Sequence, residues 1–228
     1  MPALRRQENL ICFKIVYCGC SLSGKSTNLS QVYQRLEPST GKMSTHTAGP
    51  DRTILLEFEA SGFELIPDYG TAFQLCTVPG QAVYSATTTL LLRNADAVVF
   101  VVDSQTDRQA ENLKAWQNLE RAIKHAGLAY ADLPLILQYN KRDLPTAAPI
   151  DYLEYLFNHR PSKFLSIESD AVAGRNVMAT LNAACQGAVL SFQHQSVAGD
   201  LPQEAPSASA SFLSAEDQIQ SPHLSVLA

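Results

Sequence analysis

No stretch of this sequence approaches the roughly 18 consecutive apolar residues that a helix needs to span a bilayer. The opening "MPALRRQENL" carries two arginines but no apolar run behind them, so a secretory leader is not expected and the chain reads as cytoplasmic. A surplus of positive charge is missing too. The net charge is -5 at pH 7, which argues against a broad nucleic-acid or anionic-membrane surface and leaves room only for a local basic patch. Cysteine is present but not in a pattern that pairs: Cys12, Cys18, Cys20, Cys76 and Cys185 are odd in number and mostly embedded in apolar runs. Buried thiols are expected there, with Cys18 and Cys20 the two placed for any redox role. Met1-Pro2 does not start a myristoylation signal and "SVLA" has no prenylatable cysteine, so no direct lipid anchor is expected. From Gln195 to Ala228 there is neither Lys nor Arg, while Ser, Ala, Pro and Gln are frequent and Asp200, Glu204, Glu216 and Asp217 supply most of the net charge. Such a segment cannot bury a core and is expected to be a disordered tail, leaving residues 1–194 as one domain.

What the chain does have is alternation. The apolar β-type runs "ICFKIVYC", "ILLEFE", "AFQLCTV", "ADAVVFVV", "LPLILQY" and "KFLSI" are separated by helical patterns. Helices are expected after Lys25, from about Gln109 to Lys124 with Leu113, Trp116, Leu119 and Ile123 on one face, and from Asn176 to Phe192 with Val177, Leu181, Cys185, Ala188 and Phe192. Strands alternating with helices imply an α/β fold, a mostly parallel six-stranded central sheet in a three-layer sandwich. The run "DAVVFVV" is apolar throughout, as a central strand covered on both faces would be.

Between the first of these strands and the first helix stands "GCSLSGKST", which is G-x-x-x-x-G-K-[ST] followed by Thr27. A strand before and a helix after are the setting of a phosphate-binding loop, against which a plain Gly/Ser turn is the bland alternative. In that reading Gly19, Ser21, Ser23, Gly24 and Thr27 lie along a backbone whose N–H groups face a phosphate chain. Lys25 would reach the β and γ phosphates, and the Ser26 hydroxyl would ligate Mg²⁺.

The base is read elsewhere. In "LILQYNKRDLP", Asn140, Lys141 and Asp143 form N-K-x-D at the end of an apolar strand. A carboxylate accepts both N1–H and the exocyclic N2–H of guanine, a pair of donors adenine does not offer, so Asp143 selects GTP and GDP. Asn140 would brace the loop, and the stem of Lys141 would lie over the base. Alone, N-K-x-D also describes a solvated surface turn; about 115 residues after a phosphate loop it reads as base recognition. Two shorter elements fall between the motifs. "TVPGQ" offers Gly80 as an N–H donor to the γ-phosphate and Gln81 to orient the attacking water, with a simple Pro-Gly turn as the alternative. "GPDRT" places Thr53 at the opening of a strand after a polar loop from about Glu37, where it would close over Mg²⁺ and the γ-phosphate as a switch, or else merely open the strand.

Taken together, "GCSLSGKST", "DRT", "TVPGQ", "VVDSQ" and "YNKRDLP" resemble the MglA family of bacterial Ras-like GTPases, small switches of motility and cell polarity. The resemblance runs from about Cys12 to Leu190. It implies the P-loop NTPase fold, GTP hydrolysis with Mg²⁺, and activation by a roadblock-domain (MglB-like) partner. By position it implies Arg52 as an arginine supplied from within the chain, Gln81 as the water-positioning residue, and Ala171, in the zone Ser169 to Val172, as a backbone N–H for guanine O6. Two residues depart from the common pattern. Ser21 stands where most Ras-like loops have glycine and would crowd an arginine approaching the γ-phosphate. Thr77 replaces a carboxylate usually near the metal. Slow hydrolysis and weaker metal affinity follow, and these two residues are also what favours the rival reading, a non-catalytic guanine-nucleotide module. A P-loop kinase or ATPase is disfavoured by Asn140, Lys141 and Asp143.

Overall fold

The computed structural model describes residues 2–5, 9–36, 41–48, 51–60, 69–78, 86–129 and 133–196; Gly80 and Gln81 lie outside these, as does the chain beyond 196. The strands are β1 (Ala3–Arg5), β2 (Leu10–Cys18), β3 (Gly41–Ala48), β4 (Asp51–Ala60), β5 (Gly70–Thr77), β6 (Ala97–Asp103), β7 (Leu135–Asn140) and β8 (Leu165–Glu168). The helices are α1 (Lys25–Arg35), α2 (Ala86–Arg93), α3 (Gln109–His125), α4 (Ile150–Phe157) and α5 (Val177–Ser196), with a 3₁₀ turn at Thr106–Arg108 leading into α3. No described helix is long and apolar enough to cross a membrane.

All six expected strands are present, and two more join them in one eight-stranded sheet of order β3-β4-β5-β2-β6-β7-β8, with β1 beside β2. Strands β5, β2, β6, β7 and β8 run parallel, while β1, β3 and β4 pair antiparallel. Strand β1 pairs with Leu10–Cys12 and β6 with Ile15–Cys18, so the two share one side of β2, end to end. Strand β3 corrects the expectation of a polar loop from Glu37 to Thr53. Residues 41–48 instead form an edge strand in register with 51–58 of β4, and Lys42, Met43 and Ser44 are exposed there, as suits an edge.

The alternation of side chains across each strand sorts the core into two layers. Odd-numbered residues of β2 and β6, such as Phe13, Ile15, Tyr17, Val99 and Val101, pack with Leu29 and Val32 of α1 and with Val177, Leu181, Ala188 and Phe192 of α5. Even-numbered ones, Val16, Val98, Phe100 and Val102, pack with α2, α3 and α4. Every residue of β6 is buried, which is why its sequence shows no polar alternation. Phe100 meets Trp116 of α3 edge-on, with ring centroids 4.9 Å apart. Both expected helical stripes are core, with Ala122 and Ala184 filling positions beside them.

This order places functional groups at one edge. After β2 the chain crosses to β5 on one side, and the next parallel strand, β6, lies on the other. The crevice outside the carboxyl ends of the strands at such a switch point is where open α/β sheets bind ligands. Cys18, Thr77, Asp103 and Asn140 are the last residues of β2, β5, β6 and β7, and all four stand at that edge.

Candidate functional site

The loop from Gly19 to Gly24 leaves β2 and turns directly into α1. Its two glycines are required for different reasons. Gly19 has φ 139°, and a Cβ there would overlap the carbonyl of Val101; Gly24 has φ 103°, and a Cβ there would overlap Asn140 Nδ2. Leu22 also adopts positive φ, 62°, with its side chain exposed. A loop that keeps returning to the left-handed region turns successive N–H groups to one concave side, an arrangement that favours anions. At the head of α1 the helix dipole adds to it. Lys25 is buried at the base of this hollow, where Nζ donates to the carbonyls of Gly19 at 3.0 Å and Cys20 at 2.6 Å.

Asn140 joins this loop to the two loops expected to read the base. Its Nδ2 donates to Ser23 O at 2.8 Å, and its Oδ1 accepts from Ser169 Oγ at 3.1 Å and from Ala171 N–H at 2.9 Å. One buried amide thus ties the phosphate loop, the end of β7 and the loop after β8. Asp170 shapes that last loop by accepting from Val172 and Ala173 N–H, both at 3.0 Å. Lys141, at φ 65°, has its ammonium fixed by Asp103 Oδ2 at 2.6 Å, which pins the stem at its tip. Asp143 is exposed, and no hydrogen bond joins its carboxylate to the described residues.

Below this surface lies a second polar layer. Asn28 of α1 and Gln138 of β7 exchange reciprocal amide hydrogen bonds at 2.9 Å, and Gln138 Nε2 also donates to Thr180 Oγ1 of α5 at 3.0 Å. All three are fully buried. Sequence reading missed them, together with Asp103, Arg108 and Asn112. Asp103 had a signal in its position at the end of an apolar strand; Gln138 interrupts its strand without any motif around it.

The remaining candidates divide. Ser26 is exposed in the first turn of α1 and Thr27 follows half-buried. Thr77 is buried, and its Oγ1 accepts the N–H of Ile54 at 2.8 Å, so the hydroxyl that replaces the usual carboxylate fastens β4 to the end of β5. Thr53 lies in β4 opposite His46 of β3. It shares the parity of Leu55, which packs toward α2, α3 and α4, whereas Ile54 and Leu56 pack with the α1 layer. In this register Thr53 is therefore not brought together with Ser26. For Arg52 the structure describes the backbone, paired with Thr47.

Burial pushes the Cys18 thiol up to about 12 and raises those of Cys20 and Cys76 as well, so none of the three is a thiolate at neutral pH. Among the described residues no group of three or more His, Cys, Asp or Glu side chains is placed to hold a metal ion. The donor set that does fit a hard cation is the Ser26 hydroxyl beside the phosphate hollow. That suits Mg²⁺, which commonly keeps several waters and takes its other ligands from substrate phosphates.

No family model matches the chain. It is 37% identical over 171 residues to the mutual gliding-motility protein MglA of Myxococcus xanthus (strain DK1622), a match spanning 75% of this chain and 87% of that protein.

Proposed function

Because the chain belongs to the MglA family of Ras-like small GTPases, we propose that its switch acts in the cell polarity or gliding motility for which that relative is named. It binds guanine nucleotide and hydrolyses GTP to GDP and phosphate. The observation that carries the site assignment is Asn140, whose single amide holds Ser23 of the phosphate loop and Ala171 of the base loop in one frame. A ligand with a phosphate chain at one end and a purine at the other matches that frame.

In this reading the N–H groups from Gly19 to Thr27 and the ammonium of Lys25 hold the phosphates, and Asp143 accepts N1–H and N2–H of guanine. Ala171 N–H, now given to Asn140, would be shared with guanine O6. Ser26 is the proposed metal ligand, joined by Thr53 in the GTP state. When bound, Mg²⁺ would neutralise charge on the β and γ phosphates. Gly80 and Gln81 are proposed to meet the γ-phosphate and the attacking water, and Arg52 to bring a guanidinium to the γ-phosphate. The activating partner is proposed to be a roadblock-domain protein. We assign the GTPase domain to residues 1–194 and a separate acidic tail to 195–228.

Phosphoryl transfer depends mainly on position and charge, and an arginine at the γ-phosphate is worth about 10³ to 10⁵ in rate. Single-turnover hydrolysis with a roadblock-domain partner tests the assignment. Arg52→Ala and Gln81→Leu are each expected to slow the stimulated step at least about tenfold while leaving GTP affinity near wild type. An Arg52→Ala protein that hydrolyses at the stimulated wild-type rate would remove Arg52 from the mechanism.

A further inference from the structure

The floor of the site is built around Asp103, the carboxylate of "VVDSQ", and by Arg108, Gln109 and Asn112, which none of the quoted motifs contains. Asp103, at the end of β6, is fully buried. Its N–H donates to Asn112 Oδ1 at 3.1 Å, and its carbonyl accepts from Asn112 Nδ2 at 2.8 Å and Gln109 Nε2 at 3.2 Å. The carboxylate holds Lys141 at 2.6 Å and faces Arg108 Nε at 3.8 Å. Arg108 ends the 3₁₀ turn before α3. Its Nη2 reaches across to Ser21 O of the phosphate loop at 2.9 Å, while Nη1 pairs with Glu111 at 3.1 Å. The same helix takes hold of the preceding loop residue, because Cys20 Sγ donates to Asn112 Oδ1 at 3.2 Å.

The geometry of a peptide gives this contact a consequence. In a planar trans peptide the N–H points opposite to the C=O of the preceding residue. When Arg108 draws the Ser21 carbonyl toward α3, the N–H of Leu22 is turned the other way, into the hollow. Asn140 does the same one step later: it holds Ser23 O and so turns the N–H of Gly24. Leu22 needs such a hold more than its neighbours, since a leucine at φ 62° sits in a region that L-residues enter only under outside constraint.

We propose that Arg108 is a positioning residue for the phosphate loop: by anchoring the Ser21 carbonyl it aims the Leu22 N–H at the phosphates of bound nucleotide and so slows nucleotide release. This rests on the guanine-nucleotide reading above. Asp103 is the hub that keeps Arg108 and Lys141 in place, linking the grip on the phosphates to the grip on the base. The start of α3 thereby becomes a point from which displacement of one side chain loosens the nucleotide.

The test is the release rate of GDP carrying a fluorescent ribose label, with affinities for GDP and GMP measured on the same proteins. Arg108→Ala is expected to release labelled GDP about tenfold faster or more, the loss of a charged hydrogen bond. Its affinity for GDP should fall more than its affinity for GMP, because GMP has the shorter phosphate chain and so depends less on the N–H groups of the loop. Arg108→Lys keeps a cation but not the fork and should fall between wild type and Arg108→Ala; it carries the test if Arg108→Ala does not fold. Lys114→Ala removes an exposed cation from α3 and should release at the wild-type rate. Release at the wild-type rate in Arg108→Ala, or equal loss of GDP and GMP affinity, overturns the proposal. Failure of the wild-type protein to bind labelled GDP at all would instead overturn the nucleotide reading on which it rests.

Discussion

Asn140 and Gly24 are a matched pair: the side chain of one fills the space that any side chain on the other would enter. The amide that reads as a base-loop brace occupies the space a Cβ would need. Gly24→Ala should therefore push Asn140 off Ser23 O and also strain a backbone at φ 103°, at a cost of about 1–3 kcal/mol for the conformation alone. The expected result is a lowered melting temperature and a GDP affinity reduced by at least about tenfold, read by thermal unfolding and nucleotide titration. Unchanged affinity would mean that the two residues are not coupled. At this scale the sequence was informative through spacing: G-x-x-x-x-G-K-S and N-K-R-D fall on two loops that the structure brings to one edge of the sheet, and Asn140 makes the bracing contacts expected of it. It was silent on Arg108, Asn112 and the Asn28–Gln138–Thr180 network, and it gave Asp103 no role beyond a place in "VVDSQ". These are single polar residues whose decisive partners lie far along the chain, 110 positions apart for Asn28 and Gln138, 87 for Arg108 and Ser21 and 92 for Asn112 and Cys20. Such pairings leave no local pattern.

Among the elements, long periodic segments were legible and short ones were not. The six expected strands and the helices α1, α3 and α5 all formed, because each carries an apolar face or an apolar run long enough to show a period. Helix α2 escaped notice because three of the eight residues of "ATTTLLLR" are β-branched, and α4 because eight residues following Pro149 give barely two turns of pattern. Strand β3 escaped because an edge strand with polar residues resembles a loop. Its pairing has a functional corollary. Thr53 follows the parity of Leu55 in the present register, so a Thr53 that ligates metal beside Ser26 requires the start of β4 to leave that register; period-two alternation allows no smaller adjustment. Amide hydrogen exchange in 41–48 and 51–55 is expected to differ between the GDP form and a form holding a non-hydrolysable GTP analogue. Identical exchange in both would remove Thr53 from the switch.

As a whole molecule, the protein is a three-layer α/β sandwich whose parallel strands deliver the ends of β2, β5, β6 and β7 to a single edge, where the phosphate and base loops are fastened by shared side chains. At this edge we propose that a guanine nucleotide is held and that Asp143 reads its base. The most direct measurement is competition of GDP, ADP and xanthosine diphosphate against labelled GDP on the wild-type protein and on Asp143→Asn. The wild type should prefer GDP strongly over both rivals. In Asp143→Asn an amide donor faces N1–H or N2–H, a mismatch costing roughly 1–3 kcal/mol, so GDP affinity should fall about five- to 150-fold while xanthosine diphosphate, with an oxygen in place of the amino group, competes better. A variant that keeps the full wild-type preference for GDP would mean that Asp143 does not read the base.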